Sequence, residues 1–259
     1  MNGDSDVTAL ARLVERARRA VIFTGAGIST ESGIPDFRSP GGLWSRYDPT
    51  ELTFQRFCAS AATRRLYWEM GQELYPVLKG AQPNAAHRFL AALERRGGMR
   101  RLVTQNIDGL HQRAGTSAER IIEIHGTALE VACLTCGERQ DRDPVQARFA
   151  AGDLDPHCPC GGLLKPATIS FGQAMPERET TLALADAADA DVFLVVGSSL
   201  VVYPAASLPG VALESGAELV IVNREPTPYD RAATLTLHGA AGATLTAVAD
   251  ELGMPLTDA

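Results

Sequence analysis

The feature that most constrains the fold is a short apolar run near the N-terminus that ends in glycines. Residues 20–23 read Ala-Val-Ile-Phe, and the segment Gly25-Ala26-Gly27 follows directly after Thr24. A buried strand that ends in Gly-x-Gly lets backbone N–H groups approach a pyrophosphate, because no side chain intervenes. The spacing is not that of a dinucleotide loop or a P-loop, since Thr30 stands where a third glycine would be. Taken alone, the motif is compatible with any strand-to-helix turn.

The next segment extends beyond a phosphate loop. Residues 33–38 read Gly-Ile-Pro-Asp-Phe-Arg, a proline-containing stretch that ends in an aromatic ring and a fixed cation. A rigid segment of this kind is suited to cover a bound ligand. For Phe37 the alternative is ordinary core packing, and for Arg38 it is a surface ion pair that contributes little stability.

Short runs rich in valine, isoleucine and leucine alternate with helical patterns along the chain. Because these runs are continuous rather than alternating, they predict a parallel sheet covered on both faces. The predicted strands are 20–23, 102–104, 121–124, 192–196, 219–222 and 235–237, and the predicted helices are 7–19, 84–96, 177–188, 205–215 and 241–252. The fold class is therefore α/β, with a doubly wound, Rossmann-like parallel sheet.

Two regions interrupt this alternation. Residues 41–83 are aromatic-rich and predicted to be helical, and residues 127–166 hold four of the five cysteines. We interpret both as insertions that form a smaller domain, so that the Rossmann-like domain comprises 1–40, 84–126 and 167–259. The fifth cysteine, Cys58, is predicted to be a small buried hydrophobic residue.

Two cysteine pairs in region 127–166 have the spacing of a zinc site. Cys133 and Cys136 enclose two residues, Cys158 and Cys160 enclose one, and twenty-one residues separate the pairs. Each pair is followed by glycine, so two tight turns would present four thiolates to one tetrahedral Zn²⁺. A disulfide framework or a redox Cys-x-x-Cys explains the pattern less well. The short second pair leaves His157 as an alternative to Cys158.

Composition and charge limit the partners. The formal net charge is −7 and the basic residues are scattered, whereas a nucleic-acid-binding surface needs a clustered positive patch. The polar, acidic N-terminus lacks the basic region of a signal peptide, and runs such as 192–196 are too short to span a bilayer. We expect a cytoplasmic monomer that binds neither nucleic acid nor membranes.

Five motifs resemble those of one known family. They are residues 25–38, Thr-Gln-Asn-Ile-Asp-Gly-Leu-His at 104–111, Ile-Ile-Glu-Ile-His-Gly at 121–126, Gly-Ser-Ser-Leu at 197–200 and Val-Asn-Arg-Glu at 222–225. With these motifs the chain resembles the sirtuins of bacterial type, NAD-dependent protein lysine deacylases, from about Ala20 to the C-terminus. The resemblance implies NAD as co-substrate, a structural zinc, and the products nicotinamide, free lysine and 2'-O-acyl-ADP-ribose.

The resemblance also implies roles for residues at the ends of predicted strands. His125 would be the general base acting on the ribose hydroxyls, although a lone histidine at a strand end is otherwise more often structural. Asn106 and Asp108 are the other catalytic candidates. Asp108 and Ile107 would hold the nicotinamide carboxamide, while Gln105 and Asn106 would engage the ribose and an ordered water. The full cofactor-binding set would be Gly25, Ala26, Gly27, Ser29, Asp36, Phe37, Arg38, Gln105, Asn106, Ile107, Asp108, Gly197, Ser198, Ser199, Asn223, Arg224, Glu225 and Ala241.

An acyl-lysine peptide would, by the same resemblance, add as a strand between two loops. Its contacts would be Ile169, Phe171, Gly172, Val201 and Tyr203. Ser170, in place of a large aromatic residue, would widen the acyl tunnel. Desuccinylating sirtuins carry a Tyr-x-x-Arg pair, and the nearest match here is Tyr67-Trp-Glu-Met70, where methionine cannot pair with an anion. Arg64 and Arg65 lie one helical turn earlier, so an acidic acyl group is disfavoured rather than excluded. Acetyl or longer apolar acyl groups are favoured.

Two other classes of function share these motifs. A mono-ADP-ribosyltransferase or an NAD glycohydrolase would use the same NAD site and differ in the nucleophile. A non-catalytic NAD sensor would need His125, Asn106 and Asp108 to be present and inert. An acyl-lysine channel beside Phe171 and an acyl-ADP-ribose product distinguish the deacylase from both.

Overall fold

The computed structural model describes residues 3–36, 42 and 45–257, so the predicted ligand-covering residues Phe37 and Arg38 lie outside the described part of the chain. The strands are β1 Ala20–Thr24, β2 Arg101–Thr104, β3 Ile121–Glu123, β4 Gly126–Cys133, β5 Arg139–Asp141, β6 Leu164–Thr168, β7 Val192–Val196, β8 Glu218–Asn223 and β9 Leu235–His238. The helices are α1 Gly3–Arg16, α2 Phe54–Ala59, α3 Ala61–Gly80, α4 Ala85–Arg95, α5 Leu110–Arg113, α6 Arg142–Ala150, α7 Glu177–Ala188, α8 Leu208–Glu214 and α9 Ala241–Glu251.

A parallel sheet forms the centre of the molecule. Within the described residues it has six strands in the order β3-β2-β1-β7-β8-β9. The chain builds outward from β1 to β3, then returns to β7 beside β1 and builds outward the other way. The strand order therefore reverses between β1 and β7, and sheets of this kind open a crevice at that point, beyond the carboxyl ends of the strands.

Helices cover both faces of this sheet. On one face, α1, α4 and α9 contribute Leu10, Phe89 and Leu245, which are fully buried against alternate strand residues such as Ile22. On the other face, Ala183 of α7 packs with residues from the opposite side of the same strands. Every residue of β1 and β7 is buried, which explains why both strands are apolar apart from Thr24. The predicted doubly wound α/β fold is confirmed.

A smaller antiparallel sheet in the order β5-β4-β6 follows β3. The helix α3 packs against it, with Trp68 buried among Val131 and Phe149. The sequence did not predict these strands, because Pro166 falls inside β6 and proline lacks a ladder donor. The position is compatible with proline because β6 is an edge strand. The predicted division into domains stays a prediction.

Two local expectations differ from the structure. Cys58 is exposed rather than buried, since it lies on the outer side of the short helix α2. The predicted helix 205–215 begins as a 3-10 turn, and α8 starts only at Leu208, next to Pro209. Within the described residues, no helix combines the length and the apolar character needed to cross a membrane.

Candidate active site

A cavity of about 800 Å³ opens at the carboxyl ends of the central strands, where the strand order reverses. Every predicted catalytic and cofactor-binding residue that the structure describes lines this cavity. Four of the five predicted peptide contacts also line it, and Val201 is the exception. The motifs that are far apart in the sequence therefore converge on one space.

The glycine motif after β1 packs against the end of β7. A Cβ atom at Gly25 or Gly27 would lie 2.8 Å from the carbonyl oxygen of Gly197, so only glycine allows this approach. The amide of Gly27 donates to the Gly197 carbonyl at 2.8 Å, and the amide of Gly25 donates to Val196 at 3.1 Å. The expectation that these two N–H groups face a pyrophosphate is therefore wrong. They join the loop to the sheet and form the floor of the cavity.

A buried polar network connects the loops after β1 and β2. Ser29 donates from Oγ to Oδ2 of Asp108 at 2.7 Å, and Asn106 donates from Nδ2 to the same Oγ at 3.1 Å. The other carboxylate oxygen of Asp108 accepts from the amide of Leu110 at 2.9 Å. Burial raises the pKa of Asp108, and these hydrogen bonds oppose that rise. The three side chains are thereby held in one fixed arrangement.

His125 stands at the end of β3 with one ring nitrogen engaged. Its Nδ1 lies 3.2 Å from the carbonyl oxygen of Gln105. A carbonyl can only accept, so Nδ1 carries the proton and Nε2 is the basic nitrogen of the neutral ring. Burial lowers the pKa of His125, which keeps the ring neutral at physiological pH. These are the properties of a general base.

Two other histidines have structural roles. The ring of His111 is buried with Nε2 3.0 Å from Thr24 Oγ1, and burial lowers its pKa to about 3. His87 accepts from the amide of Asn84 at the start of α4, and burial also lowers its pKa. Neither residue lines the cavity.

The far side of the cavity carries further polar groups. Gln105 donates from Nε2 to Ser198 Oγ at 2.8 Å, which connects the loops after β2 and β7. After β8, Asn223 donates from Nδ2 to the carbonyl of Glu225 at 2.7 Å and stabilises the turn.

Exposed apolar residues flank the cavity mouth on two loops. Phe171 is 44% exposed on one loop, and Val201 and Tyr203 are 49% and 66% exposed on the other. The first loop is held to the site because the amide of Ile169 donates to the carbonyl of His125 at 2.8 Å. Deeper inside, Ser170 Oγ lies 2.6 Å from the hydroxyl of Tyr67.

The four predicted cysteine ligands form a separate cluster in the small sheet. The sulfur atoms of Cys133, Cys136, Cys158 and Cys160 all lie within 4.8 Å of one another. The closest pairs are 3.6 and 3.8 Å apart, too far for disulfide bonds and close to the S–S separation of a tetrahedral zinc site. The side chain of Cys158 takes part, whereas His157 Nδ1 lies 2.7 Å from the Asp155 carbonyl. The donor set fits one structural Zn²⁺, and no cysteine lines the cavity.

One cavity residue had no signal in the sequence. Arg142, the first residue of α6, is 5% exposed and lines the cavity. In the sequence Arg-Asp-Pro reads as a solvated helix start, because nothing local shows that α3 covers it. Its position follows only from the packing of α3 on the small sheet.

Comparisons with known proteins match this chain over most of its length. A sequence model described as Sir2 family matches residues 25–204. The chain is 46% identical over 235 residues to NAD-dependent protein deacetylase 2 of Streptomyces coelicolor, with 90% of this chain and 97% of that protein covered. It is 41% identical over 251 residues to NAD-dependent protein deacylase 2 of Archaeoglobus fulgidus, with 96% and 97% covered.

Solved structures show the same similarity. The structure of a Sir2 protein with a deacetylated p53 peptide and 3'-O-acetyl ADP ribose has a TM-score of 0.90 at 36% identity, with 96% of this chain and 100% of that chain covered. Sir2 bound to an acetylated peptide has a TM-score of 0.87 at 34% identity, with 96% and 99% covered. The stretch matched by the family model contains His125 and the four cysteines, while Asn223 and Ala241 lie beyond it.

Proposed function

The chain is a member of the Sir2 family and an NAD-dependent protein lysine deacylase, and we propose that His125 is the base in this reaction. The observation that carries the assignment is the hydrogen bond between His125 Nδ1 and the Gln105 carbonyl, which leaves Nε2 as a proton acceptor in the shared cavity. The products are nicotinamide, the free lysine and 2'-O-acyl-ADP-ribose.

The cavity fits NAD by its shape and its donors. The backbones of Gly25, Gly27 and Gly197 pack so closely that a Cβ atom at any of them would clash, which makes the floor of the cavity a backbone surface. We assign the adenosine end to Asn223, Glu225 and Ala241 and the diphosphate to the loops at 25–27 and 197–199. Bound NAD supplies the electrophilic ribose carbon and the nicotinamide leaving group. Asp36, Phe37, Arg38 and Arg224 complete the proposed set.

The buried network is assigned to the nicotinamide end. Asn106 and Asp108 are fixed through Ser29, so their polar atoms need little reorganisation as charge develops. Ile107, between them, would place a backbone group beside the carboxamide. Asn106 and Asp108 are almost fully buried, so bulk water competes little for their hydrogen bonds.

His125 then moves the proton that the transfer requires. We assign to Nε2 the acceptance of a proton from the ribose hydroxyls, which makes a ribose oxygen nucleophilic toward the acyl carbon. The Gln105 carbonyl holds the ring and stabilises the imidazolium that results. Gln105 also contacts Ser198, so the base and the nucleotide loop are positioned together.

The acyl-lysine peptide is assigned to the cleft between the loops at 169–173 and 201–204. Ile169, Phe171, Gly172, Val201 and Tyr203 would contact it mainly through backbone and apolar surface, which requires little sequence specificity. The four thiolates would hold Zn²⁺ as a purely structural ion. Reduced thiols of this kind suit a reducing compartment such as the cytoplasm. We further propose a monomer that does not bind nucleic acid, in line with the net charge of −7.

The test is the identity of the product formed from NAD. The protein would be incubated with NAD and an acetyl-lysine peptide, and the products identified by mass spectrometry. The deacylase forms acetyl-ADP-ribose together with the unmodified lysine peptide. ADP-ribosylated protein would instead identify a transferase, and free ADP-ribose with intact peptide an NAD glycohydrolase.

A further inference from the structure

A buried arginine lies in the cavity without an acidic partner. Arg142 is 5% exposed, its Nη1 donates to the carbonyl of Ala128 at 3.2 Å, and its Nε donates to Gln146 at 3.1 Å. No carboxylate in the described part of the chain forms an ion pair with it. Buried charges are costly unless they are paired and hydrogen-bonded, so this guanidinium has unused binding capacity.

The nearest acidic residues on the same element have other partners. Asp141 caps α6 by accepting from the amide of Asp143 at 2.7 Å. Asp143 accepts from the Tyr75 hydroxyl at 2.8 Å and from Lys79. Burial lowers the pKa of Arg142 to about 10, which still leaves the side chain charged at neutral pH.

The guanidinium of Arg142 packs against three residues of the helix α3. The guanidinium carbon of Arg142, Cζ, lies 4.7 Å from the ring centre of Tyr75 and 5.8 Å from that of Trp68. A Cβ atom at Gly71 would lie 2.1 Å from Nη2 of Arg142. Glycine usually destabilises the interior of a helix. At position 71 it leaves space for the guanidinium of Arg142, which the Cβ atom of alanine would occupy.

The guanidinium of Arg142 lies near the residues that we assign to the nicotinamide and near those that we assign to the acyl group. The Ala128 carbonyl accepts from Arg142, and the Ala128 amide donates to the Ile107 carbonyl at 2.9 Å. Tyr67, whose hydroxyl contacts Ser170, precedes Gly71 by one helical turn on the same cavity-lining side of α3. The residues that we assign to the acyl group and to the nicotinamide therefore both lie near Arg142.

We propose that Arg142 determines acyl specificity by binding a terminal carboxylate on the acyl group of the substrate lysine. The inference rests on the proposed deacylase function. From the sequence, Met70 lowered the expectation of an acidic acyl group, and Arg64 and Arg65 kept it open. In the structure these two arginines pair with Asp155 and Glu69, whereas Arg142 brings a cation to the same cavity from α6. A guanidinium with free N–H groups binds a carboxylate in a two-point geometry, and a neutral acyl chain leaves it unpaired.

The test compares one charged acyl group with its uncharged isostere. Peptides carrying succinyl-lysine, the primary amide of succinyl-lysine, or acetyl-lysine would be assayed for kcat/KM with wild type, Arg142→Met and Arg142→Lys. For wild type, kcat/KM should be about tenfold or more higher with the acid than with the amide, because a hydrogen bond to a charged group contributes more than one to a neutral group. Arg142→Met should abolish this preference and keep acetyl-lysine cleavage, and Arg142→Lys should restore part of it.

Arg139→Met is the matched control. Arg139 is an exposed arginine of β5, three residues before Arg142, that pairs with Glu130 at 2.6 Å and lies outside the cavity. Its loss should leave the acid-to-amide ratio unchanged. Equilibrium binding of the succinyl peptide without NAD gives a second readout and should weaken about tenfold in Arg142→Met.

The possible failures are distinguishable. Equal wild-type rates on acid and amide would overturn the inference, and this comparison needs no variant to fold. Free succinate could instead inhibit cleavage of the acetyl peptide by wild type but not by Arg142→Met, while wild type shows no preference for succinyl-lysine. This result would mean that Arg142 binds a free carboxylate, and it would overturn the proposed role in acyl specificity. Absence of cleavage of all three peptides would overturn the deacylase function, while peptide binding would still decide the role of Arg142.

Discussion

Ser29 in the turn after β1 donates a hydrogen bond to Asp108 in the loop after β2, with 2.7 Å between Oγ and Oδ2. The two residues are 79 positions apart in the sequence. Both are almost fully buried, and Asn106 donates to the same hydroxyl. One hydroxyl therefore holds the two side chains that we assign to the nicotinamide end of the site.

Ser29→Ala should reduce deacylation without unfolding the protein. The change leaves a buried carboxylate with one partner fewer and frees the amide of Asn106, so both groups lose their fixed position. We expect kcat/KM to fall by about 10- to 100-fold. Ser32→Ala is the control, because its hydroxyl contacts Asn84 outside the cavity. Equal activities of the two variants would contradict the positioning role.

His125→Ala should abolish turnover and keep cofactor binding. Loss of a general base costs about 10²- to 10⁴-fold in rate, whereas most of the proposed NAD contacts come from other loops. The Kd for NAD, measured by calorimetry, should stay within about threefold, since no proposed diphosphate contact is removed. A variant with near-normal kcat would show that another group takes the proton.

The pH dependence of kcat/KM should have an acid limb set by His125. Only the neutral ring accepts a proton, and burial places its pKa below the ordinary value of about 6.5. Activity should therefore be constant from about pH 7 upward and fall as the pH drops below that pKa. An acid limb with its midpoint above pH 7 would be inconsistent with a buried, neutral base.

Cys136→Ser should damage stability more than chemistry. The thiol is one of four within 4.8 Å of one another, and the cluster lies outside the cavity. Loss of a structural zinc should lower the melting temperature by about 10 °C or more and remove the metal found by elemental analysis. The exposed Cys58 lies outside the cluster, so Cys58→Ser should change neither quantity. A stable, metal-free Cys136→Ser protein would contradict a structural zinc.

The large sheet could be predicted from the sequence because burial on both faces requires continuous apolar strands. The strand 192–196 and the helix 177–188 match their predicted bounds. The small sheet could not be predicted in this way. The strand β4 carries polar residues, β5 has only three residues, and Pro166 in β6 is tolerated only because that strand is an edge.

Within the candidate site, the sequence motifs predicted residues that line the cavity, whereas Arg142, which lies in no motif, was not predicted. The motif at 104–111 predicted the candidates around Asn106, and the structure brings them into one cavity with His125. For Gly25 and Gly27 the motif suggested phosphate contact, whereas their amides bind the end of β7. Arg142 had no local signal, because its burial depends on the packing of a helix more than sixty residues earlier.

In an NAD-dependent deacylase, NAD consumption is coupled to removal of the acyl group. The most direct measurement is the ratio of nicotinamide released to lysine peptide deacylated, quantified from the same quenched samples by mass spectrometry. We expect one nicotinamide for each deacylated lysine, and no nicotinamide when the acyl peptide is omitted. Nicotinamide release that continues without acyl peptide, or deacylation that proceeds without NAD, would contradict this coupling.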